Sequence, residues 1–363
     1  MAIHRGEILK GGEGGMARVG IVTFLHNDNY GSSLQAYALQ RVIRDLGHDC
    51  LHLDYQPDRK EKLLNLVRSG NRPGLILEGL RKKRVKAGQA GARRKSGSFS
   101  AFYQRRMKLS PRCRNRRELR EASEDREILI CGSDQIWNPV WLNEAYFLTF
   151  APEGVRKASY AASLGISRLE DPRKAEKIRR WTADFQAVSV REEEGAAILA
   201  GITGRRPEVM PDPVCLLSRE EWAEIASEAP SREPYLLCYF IGENPAYWEA
   251  ARRLGRERGL PILVLPVTGE SYGQGLAMLD GAGPEDFLGA VRSAALLCTD
   301  SFHGLAFATL FGTEVHLERR YRDGDPESKN SRVDYFLRAL ENRPLPAQRE
   351  AGRRWLEKLL AEI

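Results

Sequence analysis

Leu296-Leu297-Cys298-Thr299-Asp300-Ser301-Phe302-His303-Gly304-Leu305-Ala306-Phe307-Ala308 decides how this chain is read. The apolar run before Asp300 has the composition of a buried strand, and the run after Gly304 that of an apolar helix. A junction of this kind leaves unpaired backbone N–H groups and the positive end of a helix dipole above the carboxyl edge of a sheet. It therefore suits an anion, and His303 adds a proton carrier. Each residue also has a purely structural reading, with Asp300 or Ser301 as an N-cap and His303 as a satisfied helix-end histidine. The combination of Asp300, Ser301, His303 and Gly304 between two apolar blocks favours the functional reading, because a plain strand-to-helix turn needs no histidine.

Working outward, the same strand-then-helix grammar recurs. Val19 to Leu25 reads as a buried strand, His26 to Ser33 as a polar turn, Leu34 to Leu46 as a helix ended by Gly47, and Cys50 to Tyr55 as a second strand. This is a βαβ opening. Strand-like runs follow at Glu127 to Cys131, Ala158 to Ala162 and Ala187 to Val190, each ending in polar residues. A second series starts at Tyr235 to Phe240, with a helix from Tyr247 to Gly259, strands at Pro261 to Leu265, Ala294 to Cys298 and Glu314 to Leu317, and a helix from Pro284 to Ser293. The expected fold class is α/β, with two Rossmann-like domains facing a cleft. The expected divisions are a disordered tail (1–16), an N-terminal domain (17–212) with a basic insertion (59–120), a hinge (213–234), a C-terminal domain (235–340) and a C-terminal helix (341–363).

The chain has 363 residues, enough for two domains with their own cores, and a net charge of +7, which points to anionic partners. Arg81-Lys82-Lys83-Arg84, Arg93-Arg94-Lys95, Arg105-Arg106 and Arg114 to Arg120 concentrate that charge. Residues Ala87 to Ser100 are rich in Gly, Ser and Gln and suggest a mobile segment between basic helices. The insertion is either a solvated face or a device for recruiting an anionic substrate or membrane. The first fifteen residues lack the apolar core of a secretory signal, and no run is apolar for long enough to span a bilayer. A cytoplasmic location, open to peripheral contact with the inner membrane face, is expected. The six cysteines are scattered without ligand spacing and read as reduced and structural, with no metal site.

Three motifs, Asn29-Tyr30-Gly31-Ser32-Ser33-Leu34-Gln35, Cys131-Gly132-Ser133-Asp134-Gln135-Ile136-Trp137-Asn138 and Thr299-Asp300-Ser301-Phe302-His303-Gly304, together resemble the polysaccharide pyruvyl transferase family. The likeness runs from about Arg18 to about Leu337 and takes in Ser189-Val190-Arg191-Glu192, Asp212-Pro213 and Asn330-Ser331-Arg332-Val333. It implies a GT-B-like fold and transfer of a pyruvyl group from phosphoenolpyruvate to two hydroxyls of a sugar, forming a cyclic ketal. Phosphoenolpyruvate is then a donor substrate, and no cofactor is implied. The acceptor is a sugar or glycan, either lipid-linked, nucleotide-linked or free.

Under this resemblance the expected catalytic residues are His303, Asp134 and Arg191. Arg191 would hold the anionic donor, since a guanidinium binds phosphate and carboxylate through paired bonds. His303 would act as the acid or hold the departing phosphate, as a neighbouring dianion favours the protonated ring. Asp134 would take a hydroxyl proton or position the sugar, with Asp300 as second choice. Expected substrate-binding residues are Asn29, Gly31, Gly132, Ser133, Gln135, Trp137, Asp300, Ser301, Gly304, Arg320, Lys329 and Arg332. Gly31 would leave room for a phosphate or sugar, and Trp137 would either stack on a sugar ring or belong to the core. Trp141, Trp181, Trp222, Trp248 and Trp355 are expected in cores or on helix faces. A glycosyltransferase using a nucleotide sugar is the nearest alternative. A nucleic-acid or anionic-surface binding protein is the alternative of another class, disfavoured for nucleic acid because no recognisable binding module accompanies the arginines.

Overall fold

The structure, a computed structural model, describes residues 15–70, 91–320 and 331–363. The expected tail up to residue 14, and the Arg81–Arg84 cluster, lie outside the described residues. Strands β1 (Arg18–Val22), β2 (Asp49–His52), β3 (Ile128–Cys131), β4 (Arg156–Ala162), β5 (Ala187–Val190) and β6 (Glu208–Val209) form one sheet in the order β2-β1-β3-β4-β5-β6. Every neighbouring pair is parallel. Helices α1 (Tyr30–Asp45), α2 (Arg59–Ser69), α3 (Ala92–Arg106), α4 (Arg116–Glu121), α5 (Pro172–Thr182) and α6 (Glu193–Thr203) belong to this lobe, and the short α7 (Arg219–Ala223) leads out of it. Strands β7 (Leu236–Tyr239), β8 (Ile262–Val264), β9 (Ala277–Met278), β10 (Leu296–Thr299) and β11 (Glu314–Leu317) form the second sheet, also parallel, in the order β11-β10-β7-β8-β9. It is accompanied by α8 (Pro245–Arg258), α9 (Gly269–Tyr272), α10 (Pro284–Ser293), α11 (Phe302–Phe311), α12 (Ser331–Asn342) and α13 (Leu345–Ala361).

The central strands are continuous apolar runs because helices cover both faces of a parallel sheet. All four residues of β3, of β7 and of β10 are buried. Helix α1 begins at Tyr30, earlier than the expected Leu34, because Asn29 caps it by accepting from the Ser32 N–H at 3.1 Å. The polar residues that read as a turn are its cap and first turn.

Helix α3 occupies the stretch where the sequence suggested mobility between Ala87 and Ser100; from Ala92 onward the chain is helical. The cause is packing, since Phe99, Phe102 and Tyr103 are buried at its inner face. Its basic residues face the other lobe. Arg94 pairs with Asp280, and Arg105 and Arg106 both pair with Glu285 at the start of α10. Beneath them Tyr30 stacks on Phe287 with ring centroids 5.0 Å apart, and its hydroxyl donates to the Ala282 carbonyl at 3.0 Å. Lys95 is buried with its ammonium 4.4 Å from the centre of the Tyr30 ring.

The stretch expected as a hinge is built into the core at its start. Val214 to Leu217 and Trp222 are buried, and the Trp222 ring lies between Tyr37 of the first lobe and Phe307 of the second. Helix α13 returns to the first lobe, where Trp355 packs on Tyr160 and its indole N–H donates to Glu208 at 2.8 Å. Gly352 makes that return possible: a Cβ there would lie 2.4 Å from both the Tyr160 hydroxyl and a Leu216 methyl. Gly352→Ala gains up to about 1 kcal/mol of helix propensity but overpacks a closed contact at a cost of about 1–3 kcal/mol. A net loss of stability is expected in urea denaturation; an unchanged or raised midpoint would show that α13 docks less tightly.

Candidate active site

The β10–α11 junction is built from short polar residues that cap and tie. Ser301 caps α11 by accepting from the Gly304 N–H at 3.3 Å, and its own N–H donates to the Thr299 hydroxyl at 3.1 Å. Gly304 is required for packing, since a Cβ would lie 2.6 Å from Thr299 Oγ1. The Asp300 carboxylate accepts from the N–H groups of Ile241 (2.7 Å) and Gly242 (2.8 Å) and from Arg320 Nε (2.8 Å). Its side chain is fully buried. Asp300, expected as a substrate ligand or second-choice base, thus fastens the loop after β7 and orients Arg320, with three hydrogen bonds on its carboxylate.

His303 is in the first turn of α11 and points at the other lobe. A Cβ on Gly31 would lie 2.0 Å from His303 Nδ1. The space that Gly31 provides, read in the sequence as room for a phosphate or sugar, is filled by the imidazole. Opposite stand Arg191, just beyond β5, and Asp212, just beyond β6. Arg191 Nη1 donates to Asp212 Oδ2 at 2.6 Å and Nε to Glu192 at 3.1 Å, while His303 Nε2 lies 3.5 Å from the same Asp212 oxygen. The guanidinium also lies 5.0 Å from the centre of the Phe302 ring, which belongs to the second lobe.

All three side chains are buried, so their charges are weakly screened. Burial opposes ionisation of Asp212, yet the neighbouring His303 and Arg191, with the Val214 N–H at 3.0 Å on Oδ1, hold its carboxyl well below the usual carboxylate range. Desolvation works against the Arg191 charge, and Glu192 and Asp212 outweigh it. Two donors are left over: neither Arg191 Nη2 nor His303 Nε2 has a hydrogen-bond partner, although both are buried. Unsatisfied buried donors are costly, and two of them beside one carboxylate oxygen form a place for an anionic oxygen.

The loop after β3 closes the first-lobe side. Asp134 adopts a left-handed conformation (φ 72°), with Oδ1 accepting from the Gln135 N–H at 2.8 Å and Oδ2 from the Ser32 hydroxyl at 2.5 Å. Ser32 lies next to Gly31, which links Asp134 to the His303 contact. Ser133 donates to the Ala161 carbonyl at 2.8 Å, and a Cβ on Gly132 would press on Thr23 at 3.0 Å. Gln135 accepts from Asn138 at 3.1 Å. Gly132 and Ser133 therefore shape this loop, and Asn29 caps α1 beside it. Trp137 departs from the sugar-stacking expectation: it is fully buried, stacks on Phe147 at 5.0 Å, and its indole N–H is held by the Tyr146 carbonyl. Lys329 and the Arg332 side chain lie outside the described residues.

Sequence reading gave no role to three residues that the fold brings into play. Asp212 was visible only as part of Asp-Pro, a helix-start signal that it also obeys. Glu192 receives both Arg191 and the Ser163 hydroxyl, the latter at 2.6 Å. His26, in the loop after β1, places Nε2 2.6 Å from Asp54 Oδ1, and Gln56 steadies the same carboxylate. No spacing rule joins His26 to Asp54, since they follow different strands.

Removing the Asp212 charge leaves a buried guanidinium without its main partner, which costs about 3–5 kcal/mol. Asp212→Asn is therefore expected to be strongly destabilised near neutral pH. The depressed carboxyl contributes stability that is complete above the unfolded-state value of about 3.9 and fades as pH falls through the lower folded-state value. The gap between wild type and Asp212→Asn in urea denaturation should hold from pH 7 to about 5 and narrow below about 4. A gap that widens on acidification would contradict this arrangement.

The lobes have the architecture of GT-B enzymes. The fold is similar to that of UDP-GlcNAc 2-epimerase from Neisseria meningitidis bound to UDP-GlcNAc, with 11% identity and a TM-score of 0.51 over 94% of this chain and 99% of that one. It is also similar to another UDP-N-acetylglucosamine 2-epimerase, with 12% identity and a TM-score of 0.50 over 96% of each chain. At these identities the likeness is one of fold. No curated protein matches this sequence significantly. The family model described as polysaccharide pyruvyl transferase matches residues 29–317, from the cap of α1 to the end of β11, a span that holds Asp134, Arg191, Asp212 and His303. The chain belongs to the polysaccharide pyruvyl transferase family.

Proposed function

We propose that this protein moves the pyruvyl group of phosphoenolpyruvate onto two hydroxyls of a sugar or glycan acceptor, forming a cyclic ketal and releasing phosphate. The observation that carries this reading is the pair of buried nitrogens that complete no hydrogen bond, Arg191 Nη2 and, 3.5 Å from Asp212, His303 Nε2, on either side of the lobe boundary. A small dianion would satisfy both and draw the lobes together.

In this reading Arg191 binds the donor phosphate or carboxylate. Protonation of the methylene carbon turns the enol phosphate into an electrophile at C2, where the two acceptor oxygens bond as the C2–O bond to phosphate breaks, and His303 gives that proton or binds the leaving phosphate. The protons balance: of the two lost by the acceptor hydroxyls, one is made good on the new methyl group and one leaves with phosphate. Asp134 and the His26–Asp54 pair, linked along the first lobe through Asn27, Ser32 and Asp134, are the proposed proton acceptors on the acceptor side. Arginine and histidine supply the positive charge, so turnover is expected to proceed without a metal ion.

The test is incubation with phosphoenolpyruvate and a panel of sugar acceptors, with mass spectrometry for the ketal; a parallel arm replaces the donor with nucleotide sugars. Ketal formation is expected in the first arm only, unchanged by chelator. Arg191→Lys keeps the charge but loses the planar fork, so donor binding should weaken about tenfold or more. Sugar transfer in the second arm with none in the first would replace the proposal with the glycosyltransferase reading.

A further inference from the structure

Helix α2 is inside out. Its fully buried residues are the polar Glu61, Asn65 and Ser69, four residues apart on one face, while Leu64 and Leu66 are half-buried and Leu63 and Val67 on the outer face are 59% and 75% exposed. An amphipathic helix of a globular lobe normally turns its leucines inward. The inner face makes some polar contacts, with Asn65 donating to the Tyr55 hydroxyl at 2.8 Å and Arg68 at the helix end pairing with Glu144 at 3.2 Å, while Glu61 Oε1, Asn65 Oδ1 and Ser69 Oγ are buried without a hydrogen-bond partner. Rotating the helix to hide its apolar face would break those contacts.

A second apolar segment lies beside it. The turn Pro139–Trp141 leaves Val140 41% and Trp141 37% exposed. Lys174 and Lys177, one turn apart on α5, tie the two together: Lys174 Nζ donates to the Pro139 carbonyl and Lys177 Nζ to the Arg68 carbonyl. Among the described residues seven large apolar side chains are exposed, and four of them fall in these two segments. Apolar exposure among the described residues is thus concentrated in these two segments, which share the lysine contacts of α5.

Charge selects the occupant. The exposed surface of α2 carries Arg59, Lys60 and Lys62, and the acidic residue within the helix, Glu61, is buried. A second copy of this chain would set these like charges against each other. We propose that the α2 face, with the Val140–Trp141 turn, is a docking surface for an anionic lipid bilayer. Leu63, Val67 and Trp141 enter the boundary between headgroups and acyl chains, and the flanking basic side chains reach lipid phosphates. The proposal stands independently of the pyruvyl-transfer reading.

The test is sedimentation of the full chain with vesicles of equal parts phosphatidylglycerol and phosphatidylcholine, against vesicles of phosphatidylcholine alone. Wild type should bind the anionic vesicles and lose most of that binding at high salt. Leu63→Ser with Val67→Ser should bind about tenfold more weakly, and because this variant leaves net charge unchanged, its loss separates the face from general attraction by a basic protein. Both side chains are exposed, so the unfolding midpoint should be preserved, which excludes misfolding as the cause. Equal binding by variant and wild type, or no binding of wild type to anionic vesicles, would overturn the proposal. So would a dimer of the wild type that the variant abolishes, which would assign the face to a second copy.

Discussion

The buried contact between Arg191, Asp212 and His303 is the constraint around which the two lobes are arranged. A guanidinium and an imidazole meet one carboxylate oxygen, the first from the end of β5 and the second from the first turn of α11. Removed from water, such charges persist only when the geometry is good, so the positions of β5, β6 and α11 are mutually fixed. The same requirement explains Gly31. Helix α1 can approach the imidazole only where its backbone carries no side chain.

The lobe boundary below this contact is more than a hinge. Tyr30, Phe99, Tyr239, Phe287 and Phe307 make a continuous aromatic contact from one lobe to the other, with Trp222 of the connecting segment at its edge. Ion pairs from α3 to Asp280 and Glu285 lie at the rim. Exposed pairs like these add little stability on their own but respond to salt, whereas the aromatic floor does not. The boundary therefore combines a permanent apolar seat with a salt-sensitive edge. Much of the basic character of α3 is accounted for by this edge, and the inside-out face of α2 uses its charge differently, toward solvent.

Membership of the pyruvyl transferase family and a GT-B-like fold fit together without being equivalent. Fold similarity at about one residue in ten identical extends to epimerases that act on other substrates, so it says where a site is formed and not what is made there. The residues proposed to carry the chemistry stand just beyond the strand ends: Asp134 after β3, Arg191 after β5, Asp212 after β6 and His303 after β10. This is the general location of sites in open parallel sheets.

The sequence by itself determined the elements and most of the strand ends. Ile128–Cys131, Ala187–Val190 and Leu296–Thr299 are mostly apolar runs closed by polar residues, and Glu314–Leu317 alternates polar and apolar, local signals that need no knowledge of partners. Strands β6 and β9, two residues each, carry too little pattern to be seen. His303, Arg191 and Asp134 were legible because their motifs sit at those ends. Tertiary structure alone decided which polar residues are free and which are already used. Asp300 and His303 are three residues apart and equally conspicuous in sequence, yet the first is engaged by the β7 loop and Arg320 while the second, 3.5 Å from Asp212, completes no hydrogen bond through Nε2. Trp137 could have faced a sugar or the core, and only the position of Phe147 settles it. The roles of Asp212 and Asp54 depend on partners from other strands. Hydrogen-bond capacity is a property of the assembled neighbourhood, and a linear chain records the donors without recording who meets them.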